Sequence, residues 1–467
     1  MAEDTLAAAD ELRADAWCGE AARGPLGEDS EAWGMRRDLP RGKQQMAASV
    51  VDLADWKHPG VGWGIVLPER PEIPGADKSV GADAPEPIRA LLAARAPAPV
   101  LRYDPLLPSG KLRRYDAAGN FSEPGFTGKR GTGPHLIPRY LLIVGSPAEI
   151  PWSAQYRMQT DAFVGRLDLE PKGLERYVEA LLDGWGGATP NARRPVVWAV
   201  DHGLPDITRL MRMAIAERVQ QRFATDPDHD PAAGLITDGK ATHEELRTAL
   251  VERRPAFVLT SSHGATFPLD DAAAMRAQLG LPIDHLHTPL DLAALAGDAS
   301  VHGAVWYAHA CCSAGSDAKS KFEGLAGPAS KLGQTLASIT KVGACSAPLP
   351  RALLGGSKPL RAFIGHVEPT FDWTLRDPAT REVTTHHIVD ALYDQLHLAT
   401  RPPVGLAMRV YFQAVAGLLY DHADALEAVD QLQPQAQQWA RRAKLAALDR
   451  LATVLLGDPT VTLAPVG

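Results

Sequence analysis

Two short apolar runs that end on chemically reactive tips constrain this chain more than any other feature. One, Val301-His302-Gly303-Ala304-Val305-Trp306-Tyr307-Ala308-His309-Ala310, leads straight into Cys311-Cys312-Ser313-Ala314-Gly315-Ser316. The other, Ala256-Phe257-Val258-Leu259-Thr260-Ser261-Ser262, ends on His263-Gly264. A short apolar run bounded by small residues is the signature of a strand buried on both faces of a parallel sheet. Reactive groups in open α/β sheets collect just past the carboxyl ends of such strands. Two neighbouring strands of this design would bring an imidazole and a thiol to one sheet edge, which is what a cysteine nucleophile requires.

The pattern around these runs is strand-helix alternation. Strands are expected at 139–144, 162–165, 195–201, 256–262, 304–310, 361–365 and 460–463. Helices are expected near 171–184, 205–224 and 242–253, the last opened by the capping box Thr242-x-x-Glu245. Longer amphipathic helices are expected near 386–398, 404–422 and 433–455. Val/Ile/Leu-rich strands alternating with helices argue for an α/β fold with a mostly parallel sheet flanked by helices. The first 134 residues look irregular, with prolines from Pro68 to Pro108 punctuating short apolar pieces and one helix at 87–95. The expected organisation is an N-terminal region of unknown role (1–134), a small α/β subdomain (135–190) and a main domain (191–467).

Composition narrows the function classes. The net charge of −8 offers no basic footprint, so nucleic acid is not an expected partner. No apolar run approaches a membrane span, and the acidic start lacks the plan of a signal peptide. Cys18, Cys311, Cys312 and Cys345 have no framework spacing, which fits a reducing, cytoplasmic setting.

The dyad and its flanks resemble the caspase-hemoglobinase fold of cysteine peptidases. Cys312-Ser313-Ala314-Gly315 is similar to the Cys-x-x-Gly of the legumain, separase, CHAT and gingipain branches. Tyr140-Leu141-Leu142-Ile143-Val144-Gly145 with Ile150-Pro151, then Val164-Gly165-Arg166, looks like the gingipain-type first half. Ala362-Phe363-Ile364-Gly365-His366 and Leu456-Gly457-Asp458-Pro459 look like its downstream elements. The resemblance covers about residues 136–465. It implies a three-layer caspase-like fold and a cysteine endopeptidase acting on protein substrates, without a cofactor. His263 and Cys312 would be the catalytic pair, with the amides of Gly264 and Cys312 as oxyanion donors. It also implies a regulated, zymogen-like enzyme, controlled by an activating protease or partner, of the kind found in bacterial stress or phage-defence signalling. An inert scaffold that keeps the fold is the alternative.

Several points stay open on the residues alone. The glycine at Gly315 favours Cys312 as nucleophile, whereas Ala310 before Cys311 matches the common Ala-Cys dipeptide. Side chains alternate along a strand, so only one thiol can face the His263 side. Asp201, at the end of the run Pro195–Val200, would favour Arg or Lys before the cut if it lines the specificity pocket; a capping aspartate before Gly203 is the competing reading. The polar stretch 316–324 after the cysteines reads as a mobile linker open to nicking. Zinc-type spacings are absent, since His285-x-His287 is too little alone. No Gly-x-Ser-x-Gly elbow occurs, which argues against a serine hydrolase.

Overall fold

The computed structural model describes residues 11–37, 51–108, 110–295, 299–377 and 380–465. Its strands are β1 (Glu11–Trp17), β2 (Ala21–Pro25), β3 (Trp63–Pro68), β4 (Val100–Tyr103), β5 (Tyr140–Val144) and β6 (Phe163–Leu167). They continue as β7 (Val196–Ala199), β8 (Phe257–Ser261), β9 (Gly264–Ala265), β10 (Val305–His309), β11 (Ala362–His366) and β12 (Thr453–Gly457). Nine of them form one sheet in the order β4-β3-β5-β6-β12-β11-β10-β8-β7. Every neighbouring pair is parallel except β12 with β11. The sheet is therefore two parallel blocks of opposite direction, joined along one antiparallel seam.

Burial explains the apolar runs. Tyr140, Leu142 and Val144 belong to one hydrophobic cluster, and Leu141 and Ile143 to another, so β5 is covered on both faces. Each residue of β8 and β10 is buried as well. The expected strands at 139–144, 162–165, 195–201, 256–262, 304–310 and 361–365 all appear within a residue or three of those bounds. The N-cap half of the expected capping box forms, with Thr242 Oγ1 accepting from the Glu245 amide at 3.3 Å at the head of helix His243–Arg253.

Two expectations fail. No strand spans 460–463; the last strand is β12, and it takes the end of the stretch expected as helix 433–455. The helix there, Ala436–Leu451, stops early because Thr453-Val454-Leu455-Leu456 fills the seam between β6 and β11, a position that favours β-branched, fully buried residues. The stretch before residue 134 is not irregular either, since β3 and β4 extend the same sheet that carries β8 and β10. The parts of that region at 1–10, 38–50 and 109 lie outside the described residues.

The N-terminal segment wraps across the sheet edge that the reactive tips share. β1 pairs antiparallel with β2 and parallel with β9, the short strand directly after His263. A helix, α1 (Glu28–Met35), follows and packs on α2 (Ala436–Leu451). Trp33 of α1 is fully buried, and its indole N–H donates to the Lys321 carbonyl at 2.8 Å. Gly34 is where the two helices meet most closely, because a Cβ there would lie 2.7 Å from the Arg441 Cα.

Candidate active site

β8 and β10 lie side by side, with Ser261 opposite His309 in parallel register. His263 and Cys312 thus leave the same edge of adjacent strands, each a few residues past the ladder. The two tips touch through backbone. A Cβ at Gly264 would stand 1.9 Å from the Cys311 carbonyl oxygen, so only glycine permits this approach. A Cβ at Gly280, whose φ is +70°, would stand 2.1 Å from the Cys312 carbonyl oxygen. The turn after β10 is therefore clamped between two glycines of the His263 segment.

His263 is fully buried and held at both nitrogens. Nε2 meets Asp206 Oδ2 at 2.9 Å, and Nδ1 meets the Asp15 carbonyl oxygen at 2.6 Å. Both partners are oxygen acceptors, and together they fix the orientation of the ring. Asp206 caps the helix Ile207–Met211 by accepting from the Thr208 amide at 2.8 Å. Burial alone would raise the Asp206 carboxyl, but the His263 charge and the hydrogen bonds from His263 and Thr208 hold it well below its usual range.

More histidines surround this pair. His202 Nε2 donates to the Asp284 carbonyl oxygen at 3.0 Å, and burial with the nearby His263 charge lowers it to about 4. Its ring stacks on His287 with centroids 4.0 Å apart, and Trp17 of β1 also stacks on His287, at 4.5 Å. Trp17 also lies over His263, at 5.5 Å. Among the described residues, His202, Asp206 and His263 form the one group whose donor atoms lie close enough to share a cation, within 4.8 Å of one another. The Asp206–His263 hydrogen bond already engages two of those three side chains.

The thiols occupy a different environment. Cys311 Sγ accepts from the Thr370 amide at 3.2 Å, and both cysteines lie in an apolar cluster with Leu12, Ala14 and Ala16 of β1. Cys312 has φ +57°, a left-handed backbone that few non-glycine residues adopt. Burial and the nearby Glu368 and Asp15 carboxyls push its thiol well above the usual range. Its amide, expected to serve as an oxyanion donor, donates to the Glu368 carbonyl at 2.9 Å in this arrangement. Neither thiol is hydrogen-bonded to His263, whose ring nitrogens go to Asp15 and Asp206.

Asp201 is engaged within the chain. Its Oδ1 accepts from the Gly203 amide at 2.7 Å, as the capping reading required, and its Oδ2 pairs with Arg212 at 3.1 Å. That leaves it no free charge to offer a substrate. The stretch 316–324 is not a loose linker: Ser316 Oγ donates to the Gly343 carbonyl at 2.7 Å, and Phe322 is fully buried against Phe371. Only Ala318, Lys319 and Glu323 are exposed there.

Sequence reasoning missed Asp206, His202, Asp15 and Trp17. One signal was available for His202, since Val200-Asp201-His202-Gly203 repeats the apolar-run-then-His-Gly design of β8. No helix among the described residues is long and apolar enough to cross a membrane. No family model, curated protein or solved structure matches this chain, so the site rests on its own geometry.

Proposed function

We propose that the chain is a caspase-like cysteine endopeptidase in which His263 and Cys312 act on a peptide bond and Asp206 orients the imidazole. One observation carries this reading. An imidazole paired with a carboxylate and a two-cysteine turn leave the same edge of adjacent parallel strands, with their backbones in contact at Gly264. Such an arrangement has the parts of a nucleophile, a base and an orienting group.

In the reaction, the Cys312 sulfur attacks the carbonyl carbon and forms a thioester. His263 takes the thiol's proton as sulfur attacks and gives it to the leaving amine as the C–N bond breaks. Water then attacks the thioester carbonyl, His263 takes a proton from that water and gives it to the departing sulfur, and a carboxylic acid is released. Amides at the tip, Gly264 foremost, would face the oxyanion. Substrates are protein chains in extended form, and the raised thiol with its occupied amide fits an enzyme that rests in a latent state.

The inert-scaffold reading draws on the same burial, because a thiol held neutral among apolar groups is a poor nucleophile. A thiol-directed peptide probe separates the two. Labelling and cleavage are expected to vanish in Cys312→Ala and to survive substantially in Cys311→Ala, with both variants folded. Labelling confined to Cys311 would move the nucleophile there, and no labelling or cleavage under any activating condition would leave the scaffold.

A further inference from the structure

His202, Asp206 and His263 stand together, and each is held from behind. His263 Nδ1 meets the Asp15 carbonyl oxygen at 2.6 Å, and His202 Nε2 meets the Asp284 carbonyl oxygen at 3.0 Å. A carbonyl oxygen only accepts, so a neutral ring gives its N–H there and keeps a lone pair on its other nitrogen. Asp206 Oδ1 is fixed in a similar way, by the Thr208 amide at 2.8 Å and the Thr208 hydroxyl at 2.6 Å. A backbone carbonyl behind each imidazole and a hydrogen bond behind the carboxylate are the outer partners that orient ligands in metal sites.

The remaining atoms lack a common partner. His263 Nε2 lies 2.9 Å from Asp206 Oδ2, and His202 Nδ1 is buried with no hydrogen-bond partner. One donor atom from each of the three residues lies within 4.8 Å of the others. A proton shared by His263 and Asp206 serves two of these groups and leaves the His202 nitrogen orphaned, which is unfavourable for a buried polar atom. A divalent ion serves all three. Donors on one tetrahedral zinc lie about 3.3 Å apart, so the group closes by roughly 1.5 Å at its widest. The two ring centroids are 5.6 Å apart, near the roughly 5 Å of two imidazoles that share an ion. His202 and Asp206 are partly exposed, which gives an ion a way in and water a place on it. The thiols stand apart: Cys311 and Cys312 lie in the apolar cluster with Leu12, Ala14 and Ala16.

We propose that His202, Asp206 and His263 form a thiol-free binding site for one divalent transition-metal ion. Two imidazole nitrogens and a single carboxylate suit Zn²⁺, Co²⁺ or Fe²⁺, whereas Ca²⁺ and Mg²⁺ call for oxygen ligands. The ion replaces the proton between His263 and Asp206. It thereby takes away the carboxylate that orients the imidazole and lowers the basicity of the nitrogen left to receive the thiol's proton. Loaded protein is a poor peptidase, and removing the ion restores it. That consequence rests on the peptidase reading above; the site itself does not.

The test adds cobalt(II) to the full chain after chelator treatment. One equivalent is expected to bind with the visible d–d bands of a low-coordinate cobalt centre and without a sulfur-to-cobalt charge-transfer band. The Cys311→Ala/Cys312→Ala double variant is expected to bind it equally well. His202→Ala and Asp206→Asn should each lose at least about tenfold in affinity, since a lost ligand costs no less than a lost outer partner. If one of the two fails to fold, the other decides. Cobalt that does not bind, that binds undiminished to the histidine and aspartate variants, or that is lost with the cysteines overturns the site. Cobalt-loaded protein is expected to cleave peptide on the order of 10²-fold more slowly than the ion-free form. Equal rates with the ion bound through these three residues would leave the site standing and remove His263 as the base, so the two readings fail separately.

Discussion

The imidazole and the thiols sit within one sheet edge yet are treated oppositely by the chain. On the histidine side the His263 ring is held at both nitrogens, by Asp206 at Nε2 and the Asp15 carbonyl at Nδ1, and His202 is anchored to the Asp284 carbonyl. On the cysteine side the neighbours are Leu12, Ala14, Ala16, Met275 and Leu279, and the nearest acids oppose ionisation of Cys312. One half of the dyad is oriented by hydrogen bonds; the other is buried where its thiolate is disfavoured. The difference teaches where activation must act. On the histidine side Nδ1 has to leave the Asp15 carbonyl, and on the other side the thiol needs the groove beside it rehydrated or filled by substrate; β1 stands in the way of both.

The largest effect should come from loosening the oriented half. Asp206→Asn keeps the size of the side chain and the cap on Thr208 but removes the charge that fixes His263. Peptide turnover is expected to fall on the order of 10²- to 10⁴-fold, with little change in KM. An unchanged kcat would show that His263 does not depend on Asp206, and the comparison between the two sides would lose its first term.

Much of this architecture could be read in advance, for a physical reason. β5, β8, β10 and β11 are buried on both faces, so Leu142, Val258, Tyr307 and Ile364 sit in continuous apolar runs that stand out from their surroundings. β1 was illegible because Arg13 and Asp15 on one face are charged although buried, and the other face is mostly alanine, so neither period nor hydrophobicity marks it. β12 was hidden by its neighbour, since the helical spacing of Leu445, Leu448 and Leu451 runs on to Leu455 of the strand with no glycine or proline between them. The reactive tips were legible because glycine and cysteine are unusual at strand ends. Their partners were not, because Asp206 enters from a helix cap and Asp15 from the far N-terminal segment, and contacts of that range leave no local trace.

The second prediction sharpens the thiol side. Burial pushes Glu368 up to about 8, against the pull of the Lys321 amide on its Oε2 at 3.2 Å. The unfolded chain releases this proton near pH 4.3, the ordinary glutamate value. Between there and about pH 8 the folded chain holds one proton more, so this group's contribution to stability falls as pH rises. Glu368→Gln keeps an acceptor for the Lys321 amide and cannot ionise. It is expected to gain stability over the parent by a few kcal/mol at pH 8 and to match it near pH 4. Denaturant melts across that range check it; a constant difference between the two proteins would mean that Glu368 is already charged in the folded state.

The smallest effect concerns the carboxylate that sequence reasoning placed at the specificity pocket. Asp201 spends its two oxygens on the Gly203 amide and the Arg212 guanidinium, both within its own block of the fold. Arg212 is itself shared with Glu217 at 3.4 Å and Asp238 at 3.6 Å, so losing Asp201 does not leave a buried cation bare. Asp201→Asn retains a carbonyl oxygen for the Gly203 amide and should cost about 1 kcal/mol, the worth of one hydrogen bond to a charged partner at most. The ratio of turnover between Arg or Lys substrates and Asp or Asn substrates should stay within roughly twofold of the parent, because an acid already paired inside the chain adds little field at a pocket elsewhere. A fluorogenic panel run on Asp201→Asn beside the parent is the measurement. If Asp201→Asn erases a basic preference that the parent shows, the pocket lies at the end of β7 and the pairing of Asp201 with Arg212 does not silence it.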